Sequence, residues 1–344
     1  MTKNILDISK KKRPFIIAEM SGNHNQSLDR AIEIVDLAAA AGADAIKLQT
    51  YTADTMTMKG VHTIDDPNSL WNGKELHSLY QEAHTPWEWH EEIFIHAKKR
   101  GLVAFSSPFD ETAVDFLESL DCQIYKVASF ENTDIPLLKK IASTKKPVIM
   151  STGAATVAQL DEAVATLKEN GSTDITLLKC TSTYPSSAEN TNLLTIPHLK
   201  ELFGCRVGLS DHTMGIGVSV ASVALGAEVI EKHFTIRRSD GGVDSEFSME
   251  PHELSALVIE SERAFRAIGK VQYGIQKAES KNSMHKRSIY ISDDIEPGDV
   301  LSQDNLRVIR PADGLPPKFY DLFLGRKINK SIKAGTPLSW DLLI

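Results

Sequence analysis

Eight short apolar segments between residues 15 and 234 each end in polar or charged residues, and this pattern limits the possible folds more than any other feature of the chain. A strand that is buried on both faces has a continuous apolar sequence, whereas a strand with one exposed face alternates between apolar and polar residues. The pattern therefore predicts eight parallel strands with both faces covered. The segments are residues 15–20, 45–50, 102–107, 124–129, 148–152, 175–182, 207–212 and 229–234.

Stretches with helical spacing separate these predicted strands. In the first of them, residues 27–43, Ser27 is a candidate N-cap and Gly42 a candidate C-terminal stop. Eight strand–helix units predict a (β/α)8 TIM barrel, in which functional residues lie at the carboxyl ends of the strands. The remaining helices are predicted at residues 85–101, 111–120, 134–144, 156–169, 190–203, 216–226 and 251–267.

The composition argues against nucleic-acid and membrane partners. The net charge is −8 and no basic run is present, which argues against a nucleic-acid partner. No apolar run reaches the roughly 18 residues that span a membrane, and the N-terminus shows no secretion signal, so no membrane partner is expected. The three cysteines are widely spaced and lack a metal-ligand pattern, which indicates a reduced, cytoplasmic compartment.

The character of the sequence changes after residue 270 and predicts three regions. Residues 1–270 form the barrel, residues 271–287 form a polar linker, and residues 288–344 form a small domain. The small domain contains a near-repeat, which predicts two copies of one unit related by a pseudo-twofold axis. At a constant offset, Ile295, Gly298, Leu301, Ser302, Asp304 and Leu306 recur as Ile332, Gly335, Leu338, Ser339, Asp341 and Leu343.

Residues 51–84, after the second predicted strand, form a longer connection than barrels usually have at that point. An active-site loop and a peripheral excursion are both compatible with this sequence.

Two histidines, His212 and His233, stand at the ends of successive predicted strands. Imidazole is a common ligand of divalent transition metals, and two such ligands at one barrel mouth predict a metal site. Two histidines do not complete a coordination sphere, so water, a carboxylate or the substrate must supply the rest. Two packed histidines with satisfied hydrogen bonds are the alternative.

Lysines and serines form a second group at the predicted mouth. A lysine is costly to place in an apolar strand, so Lys47 and Lys126 are the informative members. With directed hydroxyl groups they could bind a small phosphorylated carboxylate. Lys179 and Lys232 are further candidates, although alternation along the last strand predicts that Lys232 points away from His233. The serines are Ser107, Ser129, Ser151, Ser182 and Ser210.

Four acidic residues form a third group: Glu19, Glu131, Asp211 and Asp244. Carboxylates at a barrel mouth can orient metal-bound water, move protons or bind sugar hydroxyls. The alternative is that these carboxylates only solvate loops or cap helices. This alternative is weakest for Glu19, because Glu19 follows an apolar run.

These segments together resemble the sialic acid synthase family. The resemblance covers nearly the whole chain, and residues 288–344 are similar to that family's antifreeze-like (SAF) domain, including RPADG at 310–314. Residues 79–90, 180–185 and 315–325 resemble the branch of the family that makes pseudaminic acid. The motifs are EMSGNHNQS (19–27), IKLQTY (46–51), FSSPF (105–109), YKVASFE (125–131), STG (151–153), KCTSTYP (179–185), GLSDHT (208–213) and EKHF (231–234).

The resemblance implies a metal-dependent condensation of phosphoenolpyruvate with an acetamido sugar. His212 and His233 would hold a divalent cation, manganese with magnesium or cobalt as alternatives, and Glu19 would act at the reacting centre. It also implies a domain-swapped homodimer, in which Arg310 reaches the sugar bound by the other subunit. The phosphoenolpyruvate ligands would be Lys47, Ser107, Lys126, Ser129, Ser151, Ser182 and Ser210, and the sugar ligands Gln49, Glu131, Tyr184, Asp244 and Arg310.

Several alternatives remain open at this level. The family's sialic acid branch often has asparagine at the position of Ser182 and threonine at that of Ser107, so these residues argue against N-acetylmannosamine and fit the pseudaminic branch better. An N-acetylneuraminate or legionaminic acid synthase, acting on N-acetylmannosamine or a diacetamido-trideoxy-mannose, is the alternative. A Schiff-base aldolase would use Lys47 or Lys126 as a covalent nucleophile. A carbohydrate-binding or ice-binding protein would use the C-terminal domain and leave the polar strand ends unexplained.

Overall fold

A computed structural model describes residues 13–67 and 69–343. The chain divides into two compact units, one that ends at Gly269 and one that begins at Lys270. The segment predicted as a linker, residues 271–287, falls in the second unit and contains two short 3-10 turns, Lys277–Glu279 and Asn282–His285. We describe each unit by itself.

The first unit is a closed barrel of eight parallel strands in sequential order, as predicted. Every predicted apolar segment overlaps one strand. The fourth strand is the shortest, because the chain enters a 3-10 turn at Ser129–Glu131. The strands are β1 (Phe15–Glu19), β2 (Ala45–Thr50), β3 (Val103–Pro108), β4 (Tyr125–Val127), β5 (Val148–Ser151), β6 (Ile175–Cys180), β7 (Arg206–Ser210) and β8 (Val229–His233).

Helices follow the strands close to where their sequence signals predict them. The Ser27 hydroxyl accepts from Arg30 N at the start of the first helix, and Gly42 ends it at φ 89°. The helix predicted at 190–203 starts only at Thr195, since Asn192 adopts φ 48° and interrupts the helical path. The helices are α1 (Leu28–Ala41), α2 (Ala53–Met56), α3 (Leu76–Ala83), α4 (His90–Lys99), α5 (Glu111–Ser119), α6 (Ile135–Ser143), α7 (Val157–Glu169), α8 (Thr195–Phe203), α9 (Gly217–Ala224) and α10 (Pro251–Ile268).

Both faces of the strands are buried in apolar clusters, which explains their continuous apolar sequences. Ile16 and Ile46 pack outward with Ile34 of α1, whereas Ile17 and Phe105 belong to a second apolar cluster. Each fully buried aliphatic or aromatic side chain of this kind contributes about 1.5–3 kcal/mol to stability. This apolar body is what allows charged groups to be buried at one end of the barrel.

The strand register brings the polar strand ends to one level. Glu19 of β1 is opposite Lys47 of β2 on one side and His233 of β8 on the other. Ser210 of β7 is opposite Glu231 of β8. Since all strands run in one direction, their carboxyl ends meet at one mouth.

The long connection after β2 folds back over this mouth. It contains α2 and α3, with a bridge between Thr63 and Glu75. Gln26 Nε2 donates to the carbonyls of Glu82 (3.0 Å) and His84 (2.7 Å) and so ties the end of the connection to the segment after β1. Of the two interpretations of residues 51–84, the structure supports the active-site loop.

The second unit contains the predicted pseudo-twofold repeat. Ile295 and Ile332, equivalent positions of the two copies, exchange backbone hydrogen bonds of 2.9 Å with each other. Gly298 and Gly335 both adopt left-handed backbones, at φ 93° and 88°. The regular elements are β9 (Ser288–Ile291), β10 (Leu306–Ile309) and α11 (Tyr320–Phe323), around an apolar core that includes Leu301 and Leu338.

Across the described residues, none of the helices combines the length and the apolar character that a membrane crossing requires. Cys122, Cys180 and Cys205 are all buried free thiols.

Candidate active site

Polar side chains from all eight strands or the residues just after them surround a small chamber of about 50 Å³ at the barrel mouth, called here the inner chamber. Strand alternation sends every second side chain inward, so the chamber combines residues that are far apart in the sequence. It is lined by Glu19, Lys47, Gln49, Ser107, Lys126, Ala128, Ser129, Ser151, Cys180, Tyr184, Ser210, His212, Glu231 and His233.

Lys47 is one of two buried cations in the inner chamber. Its Nζ lies 2.7 Å from Glu19 Oε2, 3.7 Å from Glu231 Oε1 and 3.3 Å from Ser107 Oγ. Burial lowers the pKa of Lys47, but the two carboxylates raise it by more, so its pKa lies above the usual range. Lys47 is therefore a fixed positive charge.

Lys126 is the second cation. Its Nζ donates to Ser151 Oγ at 2.7 Å and to the Val127 carbonyl at 3.0 Å, and Glu231 Oε1 lies 3.9 Å away. Burial lowers the pKa of Lys126 by more than Glu231 raises it. An anionic ligand beside Lys126 would favour its charged form.

Glu231 connects the two lysines, and the sequence analysis did not identify it as a site residue. Burial raises its pKa, but Lys126 and Lys47 lower it by more, so it is a carboxylate. It also accepts from Ser210 Oγ at 3.4 Å. Alternation along β8 could have found it, because a residue two positions before His233 must point the same way.

Two of the predicted serine hydroxyls converge on a glycine. Ser129 and Ser182 approach Gly153 so closely that a Cβ there would lie 2.6 Å from Ser129 Oγ and closer still to Ser182 Oγ. Ser182 does not line the inner chamber itself and lies at its edge, 3.7 Å from Cys180 Sγ. Such a hydroxyl pair above a backbone that carries no side chain suits the oxygen atoms of an anion.

The two predicted metal ligands face each other, with ring centroids 5.3 Å apart. His212 Nδ1 donates to the Thr181 carbonyl at 3.0 Å, so the lone pair of the neutral ring is on Nε2. His233 is buried and its Nδ1 has no hydrogen-bond partner. The nearest acid is Asp244, whose Oδ2 lies 4.0 Å from His233 Nδ1.

These features fit a divalent cation. Metal-binding histidines usually donate their second ring N–H to a carbonyl or carboxylate, as His212 does, and an unpartnered buried nitrogen such as His233 Nδ1 needs a ligand. Within residues 13–67 and 69–343, no group of three or more His, Cys, Asp or Glu side chains could hold a metal. Water or substrate would therefore have to complete the coordination, as in open catalytic sites.

Cys180 is a second chamber residue that the sequence analysis did not identify. Its Sγ lies 4.0 Å from His212 Nδ1, and although burial raises its pKa, the interaction with His212 lowers it to about 6. Its position at a strand end was visible in the sequence, but a cysteine in an apolar strand gives no signal that separates it from packing residues.

A larger cavity of about 430 Å³, the outer chamber, lies above the inner one and shares with it Gln49, Ala128, Ser129, Tyr184 and His233. Its walls are mostly apolar and come largely from the long loop. Besides the shared residues it is lined by Ser21, Tyr51, Met56, Ile64, Trp71, Leu76, Leu79, Tyr80, Ala83, Phe109, Phe130, Glu131, Val243 and Asp244.

The polar side chains of the outer chamber are those predicted to face a sugar. Gln49 Nε2 donates to Glu19 Oε1 at 2.9 Å and to Ser21 Oγ at 3.2 Å. Ser21 Oγ, which the sequence analysis did not identify, donates in turn to Asp244. The Tyr184 ring lies 4.4 Å from that of His212. One polar edge therefore joins the two chambers.

Glu131 sits on the outer chamber wall with one carboxyl oxygen buried and unpartnered. Burial raises the pKa of Glu131 to about 7, against the opposing effect of Lys126.

Three other candidates of the first unit, Lys232, Asp211 and Lys179, lie outside both chambers. Lys232 points away from His233, as alternation predicts, and pairs with Asp211 at 3.2 Å. Lys179 donates to the Cys180 carbonyl at 2.8 Å and to Thr181 Oγ1 at 3.0 Å. Arg310 is an exposed residue of the second unit.

Models of two known families match most of the chain. The NeuB family model matches residues 34–273, and the SAF domain model matches residues 286–344. The chain is 44% identical over 333 residues to a pseudaminic acid synthase of Helicobacter pylori, covering 95% of this chain and 97% of that protein. It is 38% identical over 326 residues to an N,N'-diacetyllegionaminic acid synthase of Campylobacter jejuni, covering 94% and 98%.

A solved structure is similar over most of its length. The N-acetylneuraminic acid synthetase of Leptospira borgpetersenii, in complex with citrate, superposes with a TM-score of 0.71 at 33% identity. The match covers 78% of this chain and 90% of that one.

The raised pKa of Glu131 predicts a pH-dependent stability difference. Between about pH 4.3, the unfolded value, and pH 7 the folded protein keeps a proton that the unfolded chain has lost, so wild-type stability falls as pH rises. Glutamine cannot ionise, so Glu131→Gln removes this fall in stability with rising pH. Its stability relative to wild type should rise from pH 5 to pH 7 by roughly 1–3 kcal/mol and then level off.

Chemical denaturation at several pH values measures this difference. The matched control is Glu189→Gln, at an exposed glutamate. Parallel stability curves for wild type and Glu131→Gln would contradict a raised pKa.

Proposed function

The chain belongs to the NeuB family, and from this premise we propose that it condenses phosphoenolpyruvate with 2,4-diacetamido-2,4,6-trideoxy-L-altrose to give pseudaminic acid and phosphate. The observation that carries the proposal is the pair of nested chambers, a charged inner one beneath a mostly apolar outer one. A small anion and a larger deoxy sugar need these two environments side by side.

The inner chamber supports the binding of phosphoenolpyruvate. Lys47, with Ser107 at 3.3 Å, would hold the carboxylate, and Lys126, with Ser151 at 2.7 Å, would hold the phosphate. The other proposed phosphate ligands are Ser129, Ser182 and Ser210, of which the first two meet over Gly153. Charges that are already in place inside a water-poor chamber stabilise an anionic ligand at little reorganisation cost.

The outer chamber supports a deoxy sugar with two acetamido groups. Its wall of Met56, Ile64, Trp71, Leu79 and other apolar residues offers contact to methyl groups. The higher identity to a pseudaminic acid synthase (44%) than to a legionaminic acid synthase (38%) points to the same substrate. The polar sugar contacts would be Gln49, Glu131, Tyr184 and Asp244.

His212 and His233 would hold the divalent cation, for which manganese is our first choice and magnesium or cobalt are alternatives. When bound, the cation would polarise the aldehyde of the open-chain sugar as a Lewis acid. The Nδ1 donation of His212 to the Thr181 carbonyl, which puts the lone pair of the neutral ring on Nε2, and the unpartnered Nδ1 of His233 support this assignment.

The reaction joins the enol carbon of phosphoenolpyruvate to the sugar aldehyde, whose oxygen takes up the proton that the adding water loses. Water adds to the phosphate-bearing carbon, and the bond between that carbon and the phosphate oxygen breaks. Burial raises the pKa of Glu19 by more than Lys47 lowers it, so this carboxyl is suited to hold the proton that leaves the water. Lys47 and Lys126 hold the donor in line with the aldehyde.

A Schiff-base aldolase is less well supported. Lys47 is ion-paired with Glu19 at 2.7 Å, and Lys126 donates to both Ser151 and the Val127 carbonyl. A covalent imine on either lysine would break these contacts, and it would leave the facing histidines without a role. We also propose a cytoplasmic location, supported by the three buried free thiols.

A phosphate-release assay with phosphoenolpyruvate, Mn²⁺ and a panel of acetamido sugars tests the proposed reaction. We expect the fastest release with the diacetamido-trideoxy-altrose and roughly 100-fold lower kcat/KM with N-acetylmannosamine, since a hydrophobic pocket rejects an added hydroxyl by about that factor. His212→Ala and His233→Ala should lose metal-stimulated release. Faster turnover of N-acetylmannosamine would overturn the sugar assignment, and no release with any sugar would overturn the reaction.

Gly153→Ala tests the anion site. The added Cβ must displace the hydroxyls of Ser129 and Ser182. Because a hydrogen bond to a charged group is worth about 1.5–3 kcal/mol, KM for phosphoenolpyruvate should rise roughly 10- to 100-fold with a smaller effect on KM for the sugar. Gly217→Ala, where nothing lies within 4 Å of the new Cβ, is the matched control. An unchanged KM for phosphoenolpyruvate in a folded Gly153→Ala protein would remove these serines from the phosphate site.

We further propose a domain-swapped homodimer in which Arg310 contacts the sugar of the other subunit. The loop that carries Arg310 is held at its base, where Ser288 Oγ donates to the Pro311 carbonyl at 2.7 Å and accepts from Gly314 N at 2.9 Å. Arg310 itself is exposed and available to a second subunit.

Complementation between two inactive variants tests this exchange. Arg310→Ala and His212→Ala should each be inactive alone, and unfolding and refolding them together should restore activity, because one site of each mixed dimer then combines two intact halves. No activity from a mixed dimer isolated with two different affinity tags would contradict the exchange.

A further inference from the structure

We propose that Lys232 and Asp211 form a positioning clamp that sets the spacing of His212 and His233 and thereby the affinity of the site for a divalent cation. The inference rests on the proposed metal role of the two histidines. Lys232 and Asp211 touch neither chamber, so they would act only through the residues beside them.

The clamp lies directly behind the histidine pair. Ser210 and His212 on one segment, and Glu231 and His233 on β8, point inward. Because side chains alternate along a strand, the residue between each pair, Asp211 or Lys232, points outward. The outward pair is not in solvent: the side chains of Lys232 and Asp211 are 1% and 0% exposed. Each is the direct chain neighbour of one proposed ligand.

Lys232 binds the loop that follows β7 at three points. Its Nζ lies 3.2 Å from Asp211 Oδ2 and 3.2 Å from the Gly215 carbonyl, and it also donates to the Thr213 carbonyl. A lysine ammonium has three donors, so all of them are used on this loop.

Asp211 holds the same loop from the other side. Its Oδ1 accepts from Thr213 N at 2.9 Å and Thr213 Oγ1 at 2.8 Å. Its Oδ2 accepts from Ser219 Oγ of α9 at 2.5 Å. The pair therefore joins β8, the loop after β7 and the first turn of α9.

His212 lies beyond the paired strands, where Ser186 N donates to its carbonyl at 3.0 Å and its own Nδ1 donates to the Thr181 carbonyl. These bonds hold it to the segment after β6 and not to β8. The paired register of β7 and β8 ends at Ser210 and Glu231, and the last backbone bond runs from Asp211 N to the Glu231 carbonyl at 3.0 Å. From that point on, the contacts of Lys232 connect the His212 loop to β8. Loss of these contacts would let the two imidazoles separate.

The clamp and a purely electrostatic effect of Lys232 predict opposite changes in cation affinity for Lys232→Met. Lys232→Met removes a buried positive charge close to the cation site, and through charge alone it would strengthen cation binding. Through position it would weaken binding, since methionine cannot hold the carbonyls of Thr213 and Gly215. The sign of the change therefore separates the clamp from simple electrostatics.

A second buried ion pair, far from the histidines, shows what the loss of such a pair does to stability alone. Arg13 pairs with Asp44 just before β2, at the opposite end of the strands, where Asp44 Oδ2 accepts from Ile16 N at 2.8 Å. Arg13 Nη2 also donates to the Gly42 carbonyl at 3.1 Å. Arg13→Met removes a similar number of contacts far from the histidines.

The experiment measures Mn²⁺ binding to metal-free protein by calorimetry and the visible absorption of bound Co²⁺, which reports coordination geometry. For Lys232→Met we expect a Kd for Mn²⁺ roughly tenfold or more above wild type and an altered Co²⁺ spectrum, the usual consequence of losing an outer support of a metal ligand. Arg13→Met should lower Tm and leave the Kd for Mn²⁺ and the Co²⁺ spectrum unchanged.

If Lys232→Met does not fold, Ser219→Ala serves instead. It removes one hydrogen bond to Asp211 without changing charge, and it should raise Kd in the same direction by a smaller factor. A folded Lys232→Met or Ser219→Ala protein with wild-type or tighter Mn²⁺ binding would overturn the clamp. If His233→Ala binds Mn²⁺ as wild type does, the proposed metal role itself fails, and the clamp falls with it.

Discussion

A buried network of opposite charges at the barrel mouth is the interaction on which the site depends. Lys47 and Lys126 share Glu231, at 3.7 and 3.9 Å, and Lys47 also pairs with Glu19 at 2.7 Å. An isolated charge at this depth would be too costly to keep, whereas a compensated network can be buried and fixed in place. The closed barrel supplies the apolar body that offsets the remaining cost.

The long loop after β2 turns this charged base into a two-part site. Without it the mouth would be open to water and the charges would be screened. Trp71 Nε1 donates to the Val243 carbonyl at 3.0 Å, so the loop closes onto the segment after β8 and completes the apolar wall. Donor and acceptor would thus meet at the polar edge formed by Gln49, Tyr184 and His233, which belong to both chambers.

The sequence was sufficient to predict the strands, most helix boundaries and the repeat of the second unit, because local signals such as continuous apolar runs, Ser27 and Gly42 determine them. It also predicted the inward side chains Lys47, Lys126, His212 and His233 from their strand-end positions. Glu231 was missed although the same alternation places it inward. Cys180 and Ser21 were missed because their roles come from long-range neighbours, His212 and Asp244, that no local pattern reveals.

The central claim is that phosphoenolpyruvate binds in the inner chamber between Lys47 and Lys126, beneath a cation held by His212 and His233. A crystal soaked with Mn²⁺ and phosphoenolpyruvate tests it most directly. We predict an anomalous manganese peak bound by both imidazoles, with the carboxylate of the donor at Lys47 and its phosphate beside Lys126 and Gly153. Donor density outside the inner chamber, or manganese bound away from the two histidines, would contradict the claim.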